Sequence, residues 1–388
     1  MKGTGLFRGR GTFSLAVLFT MSTLVLCAAP TLSQESNGAV IDSQQERFRL
    51  VEVTRGLAHP WSLAFLPDGS VLVTERPGRL HRLQLDGSTE QISGLPSIAA
   101  VGQGGLLDVA TDPQYQDNGW IYMTYAGSYN GGYGTVLGRA RLSGSALTDF
   151  EELFRMNRAG GERLHFGSRI AFLPDNTLVF SIGDRGEMNR AQDRQDHAGA
   201  ILRLNRDGSV PADNPFVGES DTLDELYTLG NRNPQGLTVH PETGVLWQTE
   251  HGPRGGDELN IIKPGNNYGW PEMSQGVDYR TGQPIGQGTS APGMTQPIEH
   301  WSPAIAPSGM TFYVGEQFPG WQGNRFLGSL VDTHLLRLEI DGERVVHQER
   351  LLDGTIGRVR DVRLGPDGNL WLLSDASNGG VYRLEPVN

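Results

Sequence analysis

Trp61-Ser-Leu-Ala-Phe-Leu-Pro-Asp-Gly-Ser-Val-Leu-Val-Thr74 is an apolar run, a Pro-Asp-Gly turn and a second apolar run. Relatives recur as Leu106-Leu-Asp-Val-Ala-Thr-Asp-Pro-Gln-Tyr115 and Ser168-Arg-Ile-Ala-Phe-Leu-Pro-Asp-Asn-Thr-Leu-Val-Phe180. Two more are Gln235-Gly-Leu-Thr-Val-His-Pro-Glu-Thr-Gly-Val-Leu-Trp247 and Val359-Arg-Asp-Val-Arg-Leu-Gly-Pro-Asp-Gly-Asn-Leu-Trp-Leu-Leu373. Short runs that alternate or are wholly apolar, closed by turn residues, are strands in hairpins. The turn prolines stand at 67, 113, 174, 241 and 366. The last interval is about twice the others and holds a degenerate copy, Pro307-Ser-Gly-Met-Thr-Phe-Tyr-Val314, which keeps the first strand and loses the turn. Six such units predict an all-β chain, a six-bladed β-propeller with four-stranded blades. A pair of β-sandwiches would not require a unit repeated six times. Phe48-Arg-Leu-Val-Glu-Val53 is expected to lie beside Val381-Tyr-Arg-Leu384 and close the ring, and the Gly- and Pro-rich stretch 271–300 to be a long loop on one face.

Composition agrees with this reading. Gly is 53 of 388 residues, about twice the usual ~7%, which favours tight turns over long helices. At the N-terminus Lys2, Arg8 and Arg10 precede an apolar run from Phe13 to Leu26 and then Cys27-Ala-Ala-Pro30. A basic head, a short apolar stretch and small residues make a secretory signal peptide, and the run is short for a membrane span of ~20 residues. The expected organisation is a signal peptide at 1–29, a flexible segment at 30–46 and the catalytic propeller at 47–388, with no membrane span in the mature chain. Leu26 is a poor residue to precede a lipid-modified Cys27, so a periplasmic or secreted protein is expected rather than a lipoprotein. Cleavage would remove the single cysteine, leaving no disulfide. It would also remove three basic residues and no acidic ones, moving the net charge from −12 to −15. Such a chain repels nucleic acid and anionic lipid. Small neutral molecules, cations, or anions in a local basic pocket suit it better.

Several chemistry-bearing residues fall beside these repeats. His165 lies between Gly160-Gly161 and Gly167, which allow close approach of a ligand to the backbone. Asp184 follows nineteen residues later, at the end of the next strand pair. A carboxylate bonded to an imidazole fixes its tautomer and raises its basicity, as a general base requires. Taken singly, the histidine reads as structural and the aspartate as turn chemistry. Arg232, between Asn231 and Asn233, could polarise a carbonyl oxygen on which charge develops, or pair with a neighbouring loop. Arg358 and Arg360, two apart, share a strand face and could form an anion site; the bland reading is a solvated strand. Carbonyls around Gly252 and Pro253, with Asp257 and Glu258, are hard oxygen donors suited to Ca²⁺, without the spacing of a known calcium loop.

Taken in order, Gly102-Gln-Gly-Gly-Leu-Leu107, the His165 and Asp184 pair, Gly230 to Leu237, Gly252-Pro253, and Glu258 through Tyr268-Gly-Trp-Pro271 make a recognisable series. With Arg358-Val-Arg-Asp361 they resemble the soluble pyrroloquinoline quinone (PQQ)-dependent aldose, glucose and sorbosone dehydrogenases, over roughly residues 48–384. The resemblance implies that His165 takes the anomeric proton of an aldose while the C1 hydride passes to the quinone. It implies that Asp184 activates His165 and that Arg232 stabilises charge on the quinone oxygen. Asn233, Arg358 and Arg360 become cofactor contacts, and Gln103 lines the pocket. The carbonyls of Gly252 and Pro253 would bind a Ca²⁺ that grips PQQ, and Glu258 with the Tyr268 carbonyl a second, structural Ca²⁺. Electrons would pass to a soluble or membrane acceptor. The family usually carries a lysine after its Gly-Ser-Leu strand end, where this chain has Val331 and Asp332. The missing ammonium and the added carboxylate are expected to weaken PQQ binding, and Val331→Lys to tighten it. A Ca²⁺-dependent lactonase-type hydrolase and a non-catalytic binding propeller are the competing readings.

Overall fold

In the computed structural model, which describes Met1 and residues 38–387, the repeats fold into six antiparallel sheets. The signal peptide expected at 1–29 lies outside the described residues apart from Met1. Blade 1 contains Pro60–Phe65, Val71–Glu75, Arg79–Leu83 and Thr89–Ile92. Blade 2 runs from Leu106–Thr111 to Ala146–Arg155, and blade 3 from Ile170–Phe172 to Leu226–Thr228. Blade 4 runs from Pro234–Val239 to Glu299–Trp301, and blade 5 from Pro307–Phe312 to Arg344–Leu351. Blade 6 takes Val359–Leu364, Leu370–Ser374 and Gly379–Pro386 from the C-terminus and Arg47–Leu57 from the N-terminal side. The first strand of each blade touches the first strand of the next, and that of blade 6 touches that of blade 1. The ring is closed as the repeat count requires.

The turns show why the Pro-Asp-Gly signature works. In blade 1 the Asp68 carboxylate accepts the Ser70 N–H at 2.9 Å while Gly69 takes φ +86°. Asp175 does the same for Thr177 around Asn176, and Asp367 for Asn369 around Gly368. An aspartate bonding two residues ahead, with a residue that tolerates positive φ between, is a self-contained turn. In blade 5 the connection lengthens instead. Tyr313, Phe318 and Trp321 pack against Phe48 and Phe326 there, so aromatic burial replaces turn chemistry.

Two expectations need correction. The segment 30–46, expected to be flexible, carries a fifth strand of blade 6 at Val40–Asp42, paired with Arg47–Arg49. Gln44 and Gln45 continue its attachment by bonding Glu349 and Glu339 of blade 5. No alternation of apolar residues signals so short a strand. Asp332, expected to repel an anionic cofactor, instead pairs with Arg350 at 3.1 Å and is half-buried.

The centre of the ring is polar. Arg169 of blade 3, 1% exposed, lies 3.1 Å from Asp108 of blade 2 and 3.0 Å from Asp361 of blade 6. Arg363 reaches the same two carboxylates, each at 3.0 Å. Buried charges persist only when paired in this way. Among the described residues no helix is long and apolar enough to cross a membrane.

Candidate active site

Strand ends and loops of several blades converge on two adjoining cavities, of about 300 Å³ and about 460 Å³. Gln103 and His251 line both. The larger holds His165, Asp184, Arg232, Gly252 and Pro253. The smaller holds Gln103, Asn233, Arg358 and Arg360. His165 and Asp184 thus share the larger cavity with Arg232, Gly252 and Pro253, while Asn233, Arg358 and Arg360 line the smaller, and Gln103 stands between them.

His165 sits on the segment between blades 2 and 3. Its Nδ1 is 2.6 Å from Asp184 Oδ1. The same oxygen accepts the Gly186 N–H at 2.7 Å, and Oδ2 accepts the Trp270 indole N–H at 2.7 Å. Three donors on two oxygens fix the carboxylate, which is 1% exposed. Burial pushes the Asp184 pKa up, but the hydrogen bond and charge of His165 and the charge of Arg232 outweigh it and hold the carboxyl below its usual range. Burial lowers the His165 pKa, and Asp184 opposes this without cancelling it. With Nδ1 held by a carboxylate, the neutral ring carries its proton there and keeps a lone pair on Nε2. That is the form of a general base.

The backbone around His165 is tightly specified. His165 takes φ +52°, an unusual conformation for a residue with a Cβ. Its N–H donates to Gln103 Oε1 at 2.8 Å. The glycines flanking it permit packing of chain on chain. A Cβ on Gly183 would come 2.4 Å from the His165 carbonyl oxygen, and one on Gly167 2.8 Å from Gly183 N. Sequence reasoning missed Arg185, a fully buried guanidinium. It donates to the carbonyls of Leu164 and Glu162 and lies over the Phe166 ring, 3.4 Å from its centroid. Burial pushes its pKa down to about 10, and no carboxylate bonds it. Nothing in Gly-Asp-Arg-Gly foretells that this arginine turns inward to clamp the loop carrying His165.

Arg232 donates from Nη1 to the carbonyls of His251 at 3.1 Å and Gly252 at 2.5 Å, and its Nε is buried without a partner. The Pro253 carbonyl accepts the Tyr279 hydroxyl at 3.2 Å. Each carbonyl retains a second lone pair, so both can still face a cation. Asp257, expected among the oxygen donors, has its carboxylate occupied by the N–H groups of Gly252 and Ala306. It shapes the turn that presents the two carbonyls. His251, pushed down to about 3 by burial and nearby arginines, bonds the Pro307 carbonyl at 2.9 Å.

Glu258 lies directly across a strand pair from Glu250, and both are buried. Burial first, and then Glu250, raises the Glu258 pKa. Two buried carboxylates side by side favour either a shared proton or a cation. Glu250, Glu258, Tyr268, Gly252 and Pro253 all line one cavity of about 10 Å³, the scale of one bound ion or water. The donor set of carboxylates and carbonyls therefore fits Ca²⁺. Gly252 and Pro253, expected on one ion, and Glu258 and Tyr268, expected on a second, all line this cavity.

In the smaller chamber Arg360 donates to Gln235 Oε1 at 3.0 Å and to Asp375 Oδ2 at 2.9 Å, leaving its Nε buried without a partner. Arg358 is 3.5 Å from the same carboxylate. Asn233 Oδ1 accepts the Gly167 N–H at 3.3 Å. Val331 opens on the larger cavity, beside the Leu330 that lines the smaller one. His59, Arg76 and Asp375 also line this chamber; none of them stands in a motif that marks it as part of a site.

Comparison with known proteins bears directly on this arrangement. The Glucose / Sorbosone dehydrogenase family profile matches residues 57–383. The chain is 40% identical over 338 residues to the aldose sugar dehydrogenase YliI of Escherichia coli, covering 86% of this chain and 91% of that one. The apo-form crystal structure of the Escherichia coli soluble aldose sugar dehydrogenase superposes with a TM-score of 0.85 at 39% identity, over 88% of this chain and 100% of that one. The PQQ-bound aldose sugar dehydrogenase of Streptomyces coelicolor gives a TM-score of 0.72 at 29% identity, over 90% and 98%.

Proposed function

Since the chain belongs to the glucose/sorbosone dehydrogenase family, we propose that it is an exported quinoprotein oxidising an aldose at C1 to its lactone. The observation that carries this reading is the His165–Asp184–Trp270 relay beside a chamber with two converging arginines. The sugar would occupy the larger cavity beside His165, and the cofactor the smaller cavity and the adjoining part of the larger that Arg232, Gly252 and Pro253 line. PQQ, when bound, supplies a two-electron acceptor for the hydride leaving the anomeric carbon.

The chain's own residues do the rest. His165 takes the anomeric hydroxyl proton at Nε2, so the C1–O1 bond gains double-bond character as C1 loses hydride. Asp184 stabilises the imidazolium that forms, and the Trp270 N–H keeps the carboxylate from rotating away. Arg232 places a fixed positive charge where an oxygen gains electron density; its unpartnered Nε is the donor available for that contact. Arg358, Arg360 and Asn233 bind the cofactor's anionic and carbonyl groups. Glu258 and the carbonyls of Gly252, Pro253 and Tyr268 would hold Ca²⁺, which supplies Lewis-acid polarisation on the cofactor side and neutralises the Glu250–Glu258 pair.

Dye reduction by the purified mature protein, with a panel of aldoses, tests this before and after addition of PQQ and Ca²⁺. Sugar-dependent reduction requiring PQQ, with lactone as product, is the expected result. No reduction at PQQ concentrations shown to saturate the protein would overturn it.

A further inference from the structure

Arg358 and Arg360 approach a single carboxylate, Asp375, and His59 Nδ1 is bonded to it at 2.8 Å. A fourth basic side chain, Arg76, lines the same chamber and donates to the Gly102 carbonyl rather than to a carboxylate. Three guanidiniums and two histidines therefore line a chamber that holds one carboxylate, Asp375, inside a strongly acidic protein. Positive charge gathered in a concave site without matching carboxylates is a recognition device for a polyanion.

His59 and Arg76 are also built as a unit. The Arg76 N–H donates to the His59 carbonyl at 3.0 Å, and the His59 N–H to the Ala376 carbonyl of blade 6 at 2.7 Å. The Leu106 N–H of blade 2 holds the Arg76 carbonyl at 3.2 Å. A Cβ on Gly105 would fall 1.8 Å from that carbonyl oxygen, so the glycine is needed for the chain to pass there. His59 takes φ +50°, nearly the value at His165. The ring thus carries two histidine–aspartate pairs on strained backbone, one opening on each cavity.

We propose that Arg76 and His59 form a second carboxylate-binding arm of the cofactor chamber, contributed by blade 1 beside the Arg358 and Arg360 arm of blade 6. This rests on the reading of the site as a PQQ chamber. PQQ is a planar tricarboxylate, and two arms on adjacent blades hold more than one of its carboxylates at once. Arg76 supplies the charge-assisted bond, and His59 joins it as an imidazolium, donating Nδ1–H to Asp375 and Nε2–H to the ligand. The cation that Val331 fails to provide on blade 5 is made good on blade 1.

Equilibrium dialysis of PQQ against the full mature chain with Ca²⁺ present tests the arm without reference to turnover. Arg76→Gln is expected to weaken binding about ten- to a hundredfold, the loss of one charge-assisted hydrogen bond. Arg76→Lys should recover most of it, and His59→Gln should cost about two- to tenfold. The preference of the wild type for PQQ over its trimethyl ester should shrink in Arg76→Gln, which a purely structural loss would not produce. Thermal melting establishes that each variant is folded; if Arg76→Gln is not, Arg76→Met and His59→Gln decide the matter. Folded Arg76→Gln and His59→Gln variants that both bind PQQ within twofold of wild type overturn the arm alone. A wild-type chain that binds no PQQ overturns the functional reading and the arm with it.

Discussion

Asp184→Asn tests the proton relay with almost no change in shape. The carboxylate accepts three donors: the His165 and Gly186 N–H groups on Oδ1, and the Trp270 indole on Oδ2. An asparagine has one acceptor and one donor end, so it cannot satisfy both sides. With its oxygen toward His165, its amino group faces the Trp270 N–H, leaving a buried donor unpaired at a cost of about 1–3 kcal/mol in stability. With the oxygen toward Trp270, its amino group faces His165 Nδ1, which must then accept, and the imidazole proton moves to Nε2. The base is then in the wrong tautomer. In the first case the loss is that of an ionic hydrogen bond to the developing imidazolium, about 1.5–3 kcal/mol, or roughly ten- to a hundredfold in kcat/KM. The second case costs more. The pH profile gives an independent sign. Burial already lowers the His165 pKa and Asp184 raises it, so removing the negative charge must lower it further. The acid limb of kcat/KM in wild type should lie below the ordinary histidine value of ~6.5, and in Asp184→Asn lower still. The assay is steady-state dye reduction with saturating PQQ between about pH 4 and 8. A folded Asp184→Asn enzyme with kcat/KM within twofold of wild type and an unmoved acid limb would refute the relay.

Other outcomes follow from particular contacts. His165→Gln should abolish sugar oxidation while PQQ affinity, measured by dialysis, changes less than threefold, because His165 lies in the sugar cavity; equal losses of both would place it in the cofactor chamber instead. Arg185→Met removes the two bonds to the 162–164 carbonyls and should lower kcat roughly tenfold or more through displacement of His165, with a shifted acid limb that simple destabilisation would not cause. Chelation should lower the melting temperature and Ca²⁺ restore it, by about 2.7 kcal/mol at a hundredfold excess over Kd. Glu258→Gln should remove that response, and an unchanged melting curve on chelation would count against a cation between Glu250 and Glu258. Gly309→Ala would set a Cβ 1.9 Å from Asp361 Oδ1 and should destabilise the chain by at least about 1–3 kcal/mol, read by denaturant unfolding.

The chain alone determined the architecture because a repeated hairpin has few ways to bury its apolar faces: six copies with fixed turn chemistry close into a ring. It also marked His165, Asp184, Arg232, Arg358 and Arg360, because those residues stand at strand ends that such a ring must gather on one face. Tertiary structure alone decided which of them meet. Trp270 reaches Asp184 across eighty-six residues, and Arg185 turns inward beneath the His165 loop. Glu250 lies opposite Glu258 across a strand pair, while the oxygens of Asp257 are taken by backbone N–H groups. Asp332 turns to Arg350, away from the chamber, while Arg76 and His59 enter it from the first blade. The physical reason is that period and turn signals are local, encoded within a few residues. The partner of a buried charge is set by which blades stand side by side and by the conformation of the loops between them, and neither is written at any single position.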